Sequence, residues 1–360
     1  MIRILHIFHE MDNGGIEHFV MDYYRCLDRT QIQFDFLTSV DREGYFDKEI
    51  QDLGGRVFHA YPLKKNLVRS FFDIAKIVRE NQYSIVHRHT GSAFGYFELH
   101  AAKLGGAKHL ILHAHNNQAG KVVLHQIFKT FFRTKCQKFA CSQLAGEYLF
   151  GKNADYTVIN NAIDTGHYTF SKEKRSAIRT ELGIGNQFVI GHVGRFEDQK
   201  NHKFLIEILK AMLKQKEDCV LVMVGAGKLM HDIKSDVEQL HLEKFVRFAG
   251  DQHDAAGFYS AFDAFVLPSK YEGFGITLLE AQANGLYCFT SADVVPQHVN
   301  VTGNVRFISL GKSSDIWAKE ILKTSARTEN TEMMIKNAGF DIQQNTTNLM
   351  DFYLQLKNQE

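Results

Sequence analysis

The chain has 360 residues, of which 44% are hydrophobic and 23% charged, and this composition excludes a disordered or fibrous protein. The length favours about two domains, and the formal net charge of +1 makes no case for a nucleic-acid partner. The sequence shows neither an apolar run of the ~20 residues that span a bilayer nor a signal peptide at MIRILHIFHE, and its five cysteines are scattered. We therefore expect a cytoplasmic protein without a disulfide scaffold or a zinc–cysteine cluster.

The hydrophobic pattern alternates between strands and helices along the chain. The first half begins with a strand at RILHIF, a glycine loop and a helix around 17–27, and continues with strands at QFDFLTS, RVFHA, YSIVHRH, HLILHAH, KFACS and YTVIN. After Asp164 the pattern restarts, with strands at FVIGHV, CVLVMV, VRFAG and DAFVLPS and helices between them. Two such runs predict an α/β fold of two doubly wound, Rossmann-like domains with parallel sheets.

We place the first domain at 1–166, the second at 167–343 and a final helix at 344–360, and we expect the polar, basic segment 165–186 to be the linker region. Ligands of open α/β sheets bind beyond the carboxyl ends of the strands. Two such domains face to face predict a site in the cleft between them, so the residues directly after each strand are the candidates.

Gly14 and Gly15 follow the first predicted strand and precede a helix. Glycines allow close approach of a ligand to the backbone, and the helix N-terminus attracts an anion. A simple tight turn explains the pair as well. The G-x-G-x-x-G fingerprint is missing, which argues against a nicotinamide dinucleotide and hence against a dehydrogenase.

Gly194-Arg195-Phe196 and Lys200 follow the strand FVIGHV. An arginine and a lysine at this spacing can converge on a diphosphate, the first as a planar fork and the second as a point charge. The alternative is a solvated basic loop, because Glu197 and Asp198 lie beside them.

The most informative segment runs from Pro268 to Glu280, PSKYEGFGITLLE. A strand ends, a glycine-bearing loop follows, and a helix begins near Ile276, so free N–H groups and the helix dipole predict an anion site. Glu272 and Glu280 can reach one site from different heights and suit sugar and ribose hydroxyls. The rival interpretation is a glycosidase acid/base pair, and the cationic, amide-rich surroundings argue against it.

Histidines close two predicted strands, His87 and His89 in YSIVHRH and His113 and His115 in HLILHAH. Such a cluster suggests a metal site. There is no D-x-D motif and no carboxylate at ligand spacing, so we expect no metal and interpret these histidines as polar contacts or a catalytic partner. A satisfied core histidine is the alternative for each of them.

The segment KVVLHQIFKTFFRTKCQKF predicts a basic helix with an apolar face. Such a helix can lie in the headgroup region of an anionic membrane. A core helix with a solvated basic face explains the pattern as well. The residues of the proposed membrane or acceptor side are Lys121, Phe128, Lys129, Phe131 and Arg133.

Together these motifs resemble glycosyltransferase family 4, whose members are retaining enzymes of GT-B fold. The pieces are NGGIE, VHRH, HAHN, ACS, LFG, INNAID, GHVGRFEDQKNH, MVGAG, RFAG and EGFGITLLEAQANG, the last with the family's E-x7-E signature. They cover nearly the whole chain and are most similar to bacterial enzymes of exopolysaccharide and capsule synthesis.

The resemblance implies a UDP-sugar donor held mainly by the second domain. Arg195 and Lys200 would hold the diphosphate and Glu280 the ribose, while Glu272 and His115 would contact the donor sugar. The remaining donor-binding positions would be Gly14, Gly15, Gly194, Gly225, Gly227, Phe274, Gly275, Ile276 and Thr277.

The first domain would hold a saccharide acceptor, which the resemblance implies to be linked to a polyprenyl diphosphate, at the inner face of the cell membrane. No metal or other cofactor is expected, because two cations and a helix dipole would stabilise the leaving diphosphate. The segments INNAID and ANGLYCFTS differ from the more common family motifs, and neither contains the phosphate-binding or E-x7-E residues. A UDP-sugar 2-epimerase of the same fold and a non-enzymatic sugar-nucleotide-binding protein are the alternatives.

Overall fold

The computed structural model describes residues 1–12, 14–116, 122–131, 134–215, 218–252, 254–272, 274–292, 294–324 and 326–359, with the backbone alone at 122–124, 127 and 131. The chain forms two compact units. The first consists of Met1–Ala162 with Ile342–Glu360, and the second of Ile163–Asp341. The predicted α/β fold with two doubly wound parallel sheets is confirmed.

The first unit contains a seven-stranded sheet in the order β3-β2-β1-β4-β5-β6-β7, with all neighbouring strands parallel. The order reverses between β1 and β4, where such a sheet opens a crevice. The strands are β1 (Ile2–Ile7), β2 (Ile32–Thr38), β3 (Val57–His59), β4 (Ile85–Thr90), β5 (His109–Ala114), β6 (Gln137–Ala140) and β7 (Thr157–Val158). The helices are α1 (Gly15–Cys26), α2 (Asp47–Asp52), α3 (Leu67–Glu80), α4 (Gly95–Leu104), α5 (Val122–Phe131), α6 (Gln143–Phe150) and, from the end of the chain, α14 (Ile342–Asn358).

Both faces of this sheet are buried. One face packs with α1 and α14. Leu349 and Tyr353 of α14 join Phe34 of β2 in one apolar cluster. The other packs with α3, α4 and α6. Because both faces are covered, β2 is buried at all seven of its positions, including the polar Gln33, Asp35 and Thr38.

The second unit contains a six-stranded parallel sheet in the order β10-β9-β8-β11-β12-β13, which reverses between β8 and β11. Its strands are β8 (Phe188–Val193), β9 (Cys219–Val224), β10 (Val246–Gly250), β11 (Ala264–Leu267), β12 (Tyr287–Ser291) and β13 (Val305–Ile308). Its helices are α7 (Lys172–Glu181), α8 (His202–Leu213), α9 (Met230–Gln239), α10 (Ala256–Ala261), α11 (Ile276–Ala283), α12 (Ser314–Ile321) and α13 (Thr331–Asn337).

The expected linker at 165–186 is wrong, because this segment lies inside the second unit. Its helix α7 packs against α10. Arg175 donates to the carbonyl oxygens of Ser260, Ala261 and Phe262 at the end of α10 and pairs with Asp263 at 2.7 Å. Arg175, one of the basic residues that suggested a solvated linker, thus binds a helix C-terminus, which favours cations.

Candidate active site

Two loops leave the switch point of the second sheet side by side. Residues 194–201 follow β8 and residues 268–275 follow β11, and these strands are neighbours in the sheet. The backbone N–H of Lys270 donates to the carbonyl of Gln199 over 2.8 Å, and the Gln199 side chain donates to the carbonyl of Tyr271 over 2.9 Å. Hydrogen bonds therefore join the two motifs that the sequence analysis selected independently.

Lys200 and Glu272 form the ionic centre of this surface. The Lys200 Nζ lies 2.7 Å from a Glu272 carboxylate oxygen, and the Ser269 hydroxyl donates to the same oxygen over 3.1 Å. The two side chains are only 15% and 11% exposed. The alternative of a solvated basic loop therefore fails for Lys200, and its ammonium group is already directed by a carboxylate.

Arg195 differs from Lys200 in its surroundings. Its guanidinium is 59% exposed and lies 3.8 Å from the Glu197 carboxylate, a distance too long for a strong pair. Gly194 precedes it, and a Cβ at Gly194 would lie 3.4 Å from the aliphatic carbons of Lys200. The arginine is thus an available cation beside a fixed one, which suits a group that meets an anionic ligand.

Gly225 and Gly227 follow β9 and have positive φ values of 132° and 154°. A Cβ at Gly225 would lie 2.3 Å from the carbonyl oxygen of Gly194, and one at Gly227 2.6 Å from that of Phe196. The structure thus gives these glycines a packing role against the loop after β8. Their predicted closeness to a nucleotide base stays a prediction.

We expect Gly225→Ala and Gly227→Ala each to lower the free energy of unfolding of the second unit by about 2–4 kcal/mol, because positive φ and a backbone clash combine. Urea unfolding followed by Trp317, the single tryptophan, measures this. Gly185→Ala is the matched control, since no described atom lies within 4 Å of its Cβ position. Wild-type stability in both variants would contradict the packing role.

Helix α11 begins directly after the loop. Gly275 is its N-cap, with φ 83° and ψ 57°, a conformation that suits glycine. Behind it, the buried Thr277 hydroxyl has no hydrogen-bond partner within the residues that the structure describes. Phe274 packs near His298 and Phe340, with ring centroids 5.6 and 5.5 Å apart. The first N–H groups of a helix have no partner within the helix, so this helix start has the donors that suit an anion, and its predicted role stays a prediction.

Glu280 lies one turn further along α11 and accepts a short hydrogen bond from the Tyr259 hydroxyl. Tyr259 is fully buried. Its pKa is raised well above the ordinary value, first by burial and then by the Glu280 charge. A phenol that stays protonated can only orient this carboxylate by donating to it.

The position of Tyr259 depends on a buried arginine. Arg327 donates to the carbonyl oxygens of Tyr259, Ser260 and Phe262 at the end of α10. Burial lowers the pKa of its guanidinium to about 9. The guanidinium thus supplies hydrogen-bond donors to the carbonyl oxygens at the end of α10, the helix that carries Tyr259.

In the first unit, Gly14 is the N-cap of α1 and has an extended backbone. A Cβ at Gly14 would lie 2.3 Å from a Glu17 carboxylate oxygen, whereas no described atom lies within 4 Å of a Cβ at Gly15. The Glu17 carboxylate thus covers part of the helix start, and burial raises its pKa. The open side of Gly15 is compatible with its predicted role, which stays a prediction.

The histidines of the first unit form two hydrogen-bonded chains inside the unit. In one, His115 Nε2 lies 3.0 Å from His89 Nδ1, and His89 Nε2 lies 2.9 Å from His6 Nδ1. In the other, the Tyr353 hydroxyl lies 2.6 Å from His87 Nδ1, and His87 Nε2 lies 3.2 Å from His113 Nδ1. All except the half-buried His115 are buried.

These imidazoles are neutral at pH 7. Burial lowers the pKa of His6 and of His115 to about 3, and the pKa values of His87, His89 and His113 lie well below the ordinary range for the same reason. His115 is therefore a poor general acid or base near neutrality. It can still offer a neutral hydrogen bond.

The hydrogen-bonded chain through His89 also determines which ring nitrogen of each histidine carries the proton. His6 Nε2 is buried without a hydrogen-bond partner among the described residues, and an unpartnered buried N–H is rarer than an unpartnered acceptor. The arrangement that avoids it has His6 Nδ1–H donating to His89 and His89 Nδ1–H donating to His115 Nε2. His115 then carries its proton on Nδ1 and presents an N–H donor.

Two overlapping groups of three histidines bring ring nitrogens within 4.8 Å of one another: His6, His87 and His89, and His89, His113 and His115. Neutral imidazole nitrogens are good metal ligands. The nitrogens that come closest are joined in pairs by the hydrogen bonds of the two chains. A hydrogen-bonded core therefore accounts for this cluster, and the expectation of no metal stays a prediction.

Comparison with known proteins decides the family. The family model Glycosyltransferase Family 4 matches residues 13–167, and the model Glycosyl transferases group 1 matches residues 174–339. The chain is 31% identical to EpsF of Bacillus subtilis (strain 168), whose name is that of a glycosyltransferase, over 98% of this chain and 96% of EpsF. The chain belongs to glycosyltransferase family 4.

Two further relatives bear on the glycosyltransferase. The UDP-Gal:alpha-D-GlcNAc-diphosphoundecaprenol alpha-1,3-galactosyltransferase of Escherichia coli is 26% identical over 84% of this chain and 80% of its own length. The solved structure of Anabaena HepE in complex with UDP matches with a TM-score of 0.76 and 18% identity, over 99% of this chain and 100% of that one. At that identity the likeness shows the fold, and the predicted GT-B fold is confirmed.

The predicted membrane helix of the glycosyltransferase is α5, and the structure places its Phe128 inside the first unit. Phe128 is 9% exposed, and its ring centroid lies 4.6 Å from that of Phe94. Lys129 donates to the carbonyl of Tyr148 over 3.0 Å. Phe128 is thus a core residue, as the alternative interpretation has it. Lys121, Arg133 and the side chain of Phe131 lie outside the described residues.

In the part of the glycosyltransferase that the structure describes, none of the helices combines the length and hydropathy needed to cross a membrane.

Sequence reasoning missed two contributors to the site of the second unit and one member of the histidine chains of the first unit. They are Tyr259, which orients Glu280, Ser269, which shares Glu272 with Lys200, and His6, which ends the histidine chain. Tyr259 and His6 lie in apolar segments where the pattern predicts core residues, so the sequence carries no signal for their roles. Ser269 lies inside the motif itself, and its position next to the strand end was the available signal.

Proposed function

We propose that this glycosyltransferase moves a hexose or N-acetylhexosamine from a UDP-sugar to a saccharide carried on a polyprenyl diphosphate, in exopolysaccharide or capsule synthesis. The observation that carries the proposal is the Lys200–Glu272 pair at the switch point of the second sheet, beside Arg195 and the start of α11. It combines cations and amides for a diphosphate with carboxylates for hydroxyls.

The relatives support the donor and acceptor classes by analogy. HepE was solved in complexes with UDP and with UDP-glucose. The name of the Escherichia coli relative specifies a UDP-sugar donor and an acceptor on diphosphoundecaprenol. The capsular polysaccharide biosynthesis glycosyltransferase CapH of Staphylococcus aureus matches 98% of the chain at 24% identity. These facts suggest the substrate class and leave the sugar open.

In the proposed mechanism, the bond between the anomeric carbon and the diphosphate breaks through an oxocarbenium-like state, and negative charge grows on the leaving diphosphate. Arg195, Lys200 and the N–H groups at the start of α11 stabilise that charge. The Thr277 hydroxyl is one more donor for a phosphate oxygen. Because this charge is larger in the transition state than in the bound donor, these groups raise turnover more than affinity.

The two carboxylates have separate proposed roles. Glu280, held by Tyr259, accepts from the ribose hydroxyls. Glu272, which is paired with Lys200, accepts from a hydroxyl of the donor sugar. It thereby links the position of the sugar to that of Lys200, the cation that would hold the diphosphate. The paired cations and the helix start occupy the place that a metal takes in other transferases, so the proposed reaction needs no metal.

The acceptor hydroxyl attacks from the face that the leaving group vacates, with retention of configuration, and the leaving phosphate takes its proton. Both statements are proposals from the family resemblance. Incubation of the enzyme with a UDP-sugar alone separates transfer from epimerisation, because a 2-epimerase would convert its substrate without any acceptor.

The proposal is tested by calorimetric titration of UDP in the presence of EDTA. We expect micromolar binding that survives EDTA and weakens about 10- to 100-fold in Glu280→Ala, because that change removes a charged acceptor and leaves the buried Tyr259 hydroxyl unpaired. Glu272→Gln should keep UDP binding within about threefold, since UDP carries no sugar, and should lower turnover of the UDP-sugar.

Glu207→Ala is the matched control, a glutamate of α8 outside the two loops of the site. Binding of GDP or ADP in place of UDP would keep a transferase and overturn the donor class. Loss of binding on EDTA treatment would overturn the metal-free mechanism. Binding of none of the three nucleotides would contradict the proposed function.

A further inference from the structure

Helix α3 of the first unit exposes apolar side chains at its start. Leu67, Val68 and Phe72 are 46%, 66% and 58% exposed. Val68 and Phe72 are four residues apart, so they lie next to each other on one face of the helix. The opposite face, with Ile74 and Val78, is buried in the core of the unit. The outer face therefore presents a hydrophobic surface beyond what packing requires.

Basic residues surround these side chains. Residues 64–80 contain five basic side chains and two acidic ones, a net charge of +3. Lys64, Lys65 and Arg69 are exposed, and the Arg69 guanidinium lies over the Tyr61 ring at 4.0 Å. The acidic groups nearby are partly engaged, because Asp73 accepts from the backbone of Tyr61. We name this surface the α3 patch: Lys64, Lys65, Leu67, Val68, Arg69 and Phe72.

Two ion pairs lie near the α3 patch. Lys65 lies 2.7 Å from Asp41, and Lys76 lies 3.9 Å from Glu80. Both pairs are solvent-exposed, and such pairs contribute little and weaken further with salt. Basic charge thus remains on both sides of the exposed apolar residues.

We propose that the α3 patch binds the surface of an anionic phospholipid bilayer. Exposed apolar side chains enter the boundary between headgroups and acyl chains, while lysines and arginines pair with lipid phosphates. The patch has both parts at the start of α3, with Lys64 and Lys65 just before the helix and Val68 and Phe72 on its exposed face. Phe128 of α5, by contrast, is buried.

The size of the patch favours a bilayer over a protein partner. Three partly exposed apolar side chains offer on the order of 300 Å², whereas stable protein interfaces bury about 1,200–2,000 Å². A bilayer needs no complementary shape and gains from every inserted side chain. The inference deepens the proposed lipid-linked acceptor, since it places the enzyme where such an acceptor lies, but its test uses neither donor nor acceptor.

The test is co-sedimentation of the full-length protein with phospholipid vesicles. We expect binding to vesicles of phosphatidylcholine with phosphatidylglycerol, weakening at high salt, and little binding to phosphatidylcholine alone. Val68→Ser with Phe72→Ser should lower the partition coefficient about tenfold or more. Lys64→Gln with Lys65→Gln should lower it about fivefold for each charge removed.

Ile316→Ser with Met333→Ser is the matched control, because these apolar residues of the second unit are exposed to a similar degree. Thermal unfolding confirms that each variant is folded. Failure of the wild type to bind anionic vesicles, or wild-type binding by both α3 variants, would overturn the inference. So would a fall in oligomer size on Phe72→Ser, which would assign the patch to self-association. UDP binding is unaffected by any of these outcomes, so the proposed function is judged separately.

Discussion

Lys200→Ala is expected to lower turnover of the UDP-sugar by about 100- to 1,000-fold, the usual effect of removing one preorganised group that stabilises transition-state charge. Lys200 is the half-buried cation of the site, and its Nζ is fixed 2.7 Å from Glu272. Little solvent is available to replace it when charge grows on the leaving diphosphate. Arg195→Ala should act in the same direction and more weakly, since Arg195 is largely exposed.

Initial rates of nucleotide release with and without acceptor measure this effect. The matched control is Lys203→Ala, a lysine three residues further along whose exposed ammonium lies 3.5 Å from Asp236; its turnover should equal that of the wild type. The double variant Lys200→Ala with Glu272→Gln removes the unpaired carboxylate that the single variant leaves. Near-wild-type turnover in both Lys200→Ala and Arg195→Ala would refute the assignment of the diphosphate site.

Acidification from pH 7.5 to 5.5 is expected to destabilise the first unit by up to about 7 kcal/mol, comparable to the whole stability of a typical domain. The cause is the core of five neutral histidines, whose folded-state pKa values lie far below 6.5. The unfolded chain binds protons there as the pH falls below 6.5, and the folded unit does not. Each histidine then contributes on the order of 1 kcal/mol at pH 5.5.

The sign and the window follow from these pKa directions. A lowered histidine pKa costs nothing above pH 6.5, and its cost grows as the pH falls towards the folded value of about 3. Asp22 opposes the trend, because burial raises the pKa of its carboxyl to about 6. Burial also raises the pKa of the Glu17 and Glu98 carboxyls, but it lowers the pKa of His9 and His125 as well. The histidines still outnumber the carboxyls, so the net effect is a loss of stability.

Urea unfolding at several pH values, followed by circular dichroism and by Trp317 fluorescence, measures this. Trp317 is buried in the second unit, where the pKa values of His192 and His202 are also lowered. The fluorescence transition should therefore move less with pH than the circular dichroism transition. His113→Asn should reduce the pH slope of the first unit by about one proton. A first unit equally stable at both pH values would mean that these histidines are not neutral in the folded protein.

Much of the fold was predictable because most strands are short segments rich in apolar residues and are separated by loops with glycine or polar residues. The loops of the site were predictable for the same reason: Arg195 and Glu272 directly follow such runs. Parallel strands end at one edge of a sheet, so residues that follow strands can be expected to meet. Family resemblance then supplied roles that spacing alone does not contain.

Side-chain contacts were beyond the sequence. Nothing in the order of residues indicates that Lys200 selects Glu272 over its neighbours Glu197 and Asp198, because the choice depends on how two loops 72 residues apart pack. The Phe128 periodicity fits a membrane face and a core face equally. The linker prediction was wrong because the sequence does not distinguish an arginine that donates to the carbonyl oxygens of a helix end from an arginine exposed to solvent.

Helix α14 is the last element of the first unit, although the second unit lies before it in the chain. Its Leu349, Tyr353 and Leu356 complete an apolar cluster that β1, β2 and α1 begin. During synthesis, the ribosome therefore releases every residue of the second unit before the first unit can close its own core. The core of the first unit is thus completed only after the second unit has been synthesised, and the hydrogen bond between Tyr353 and His87 cannot form earlier.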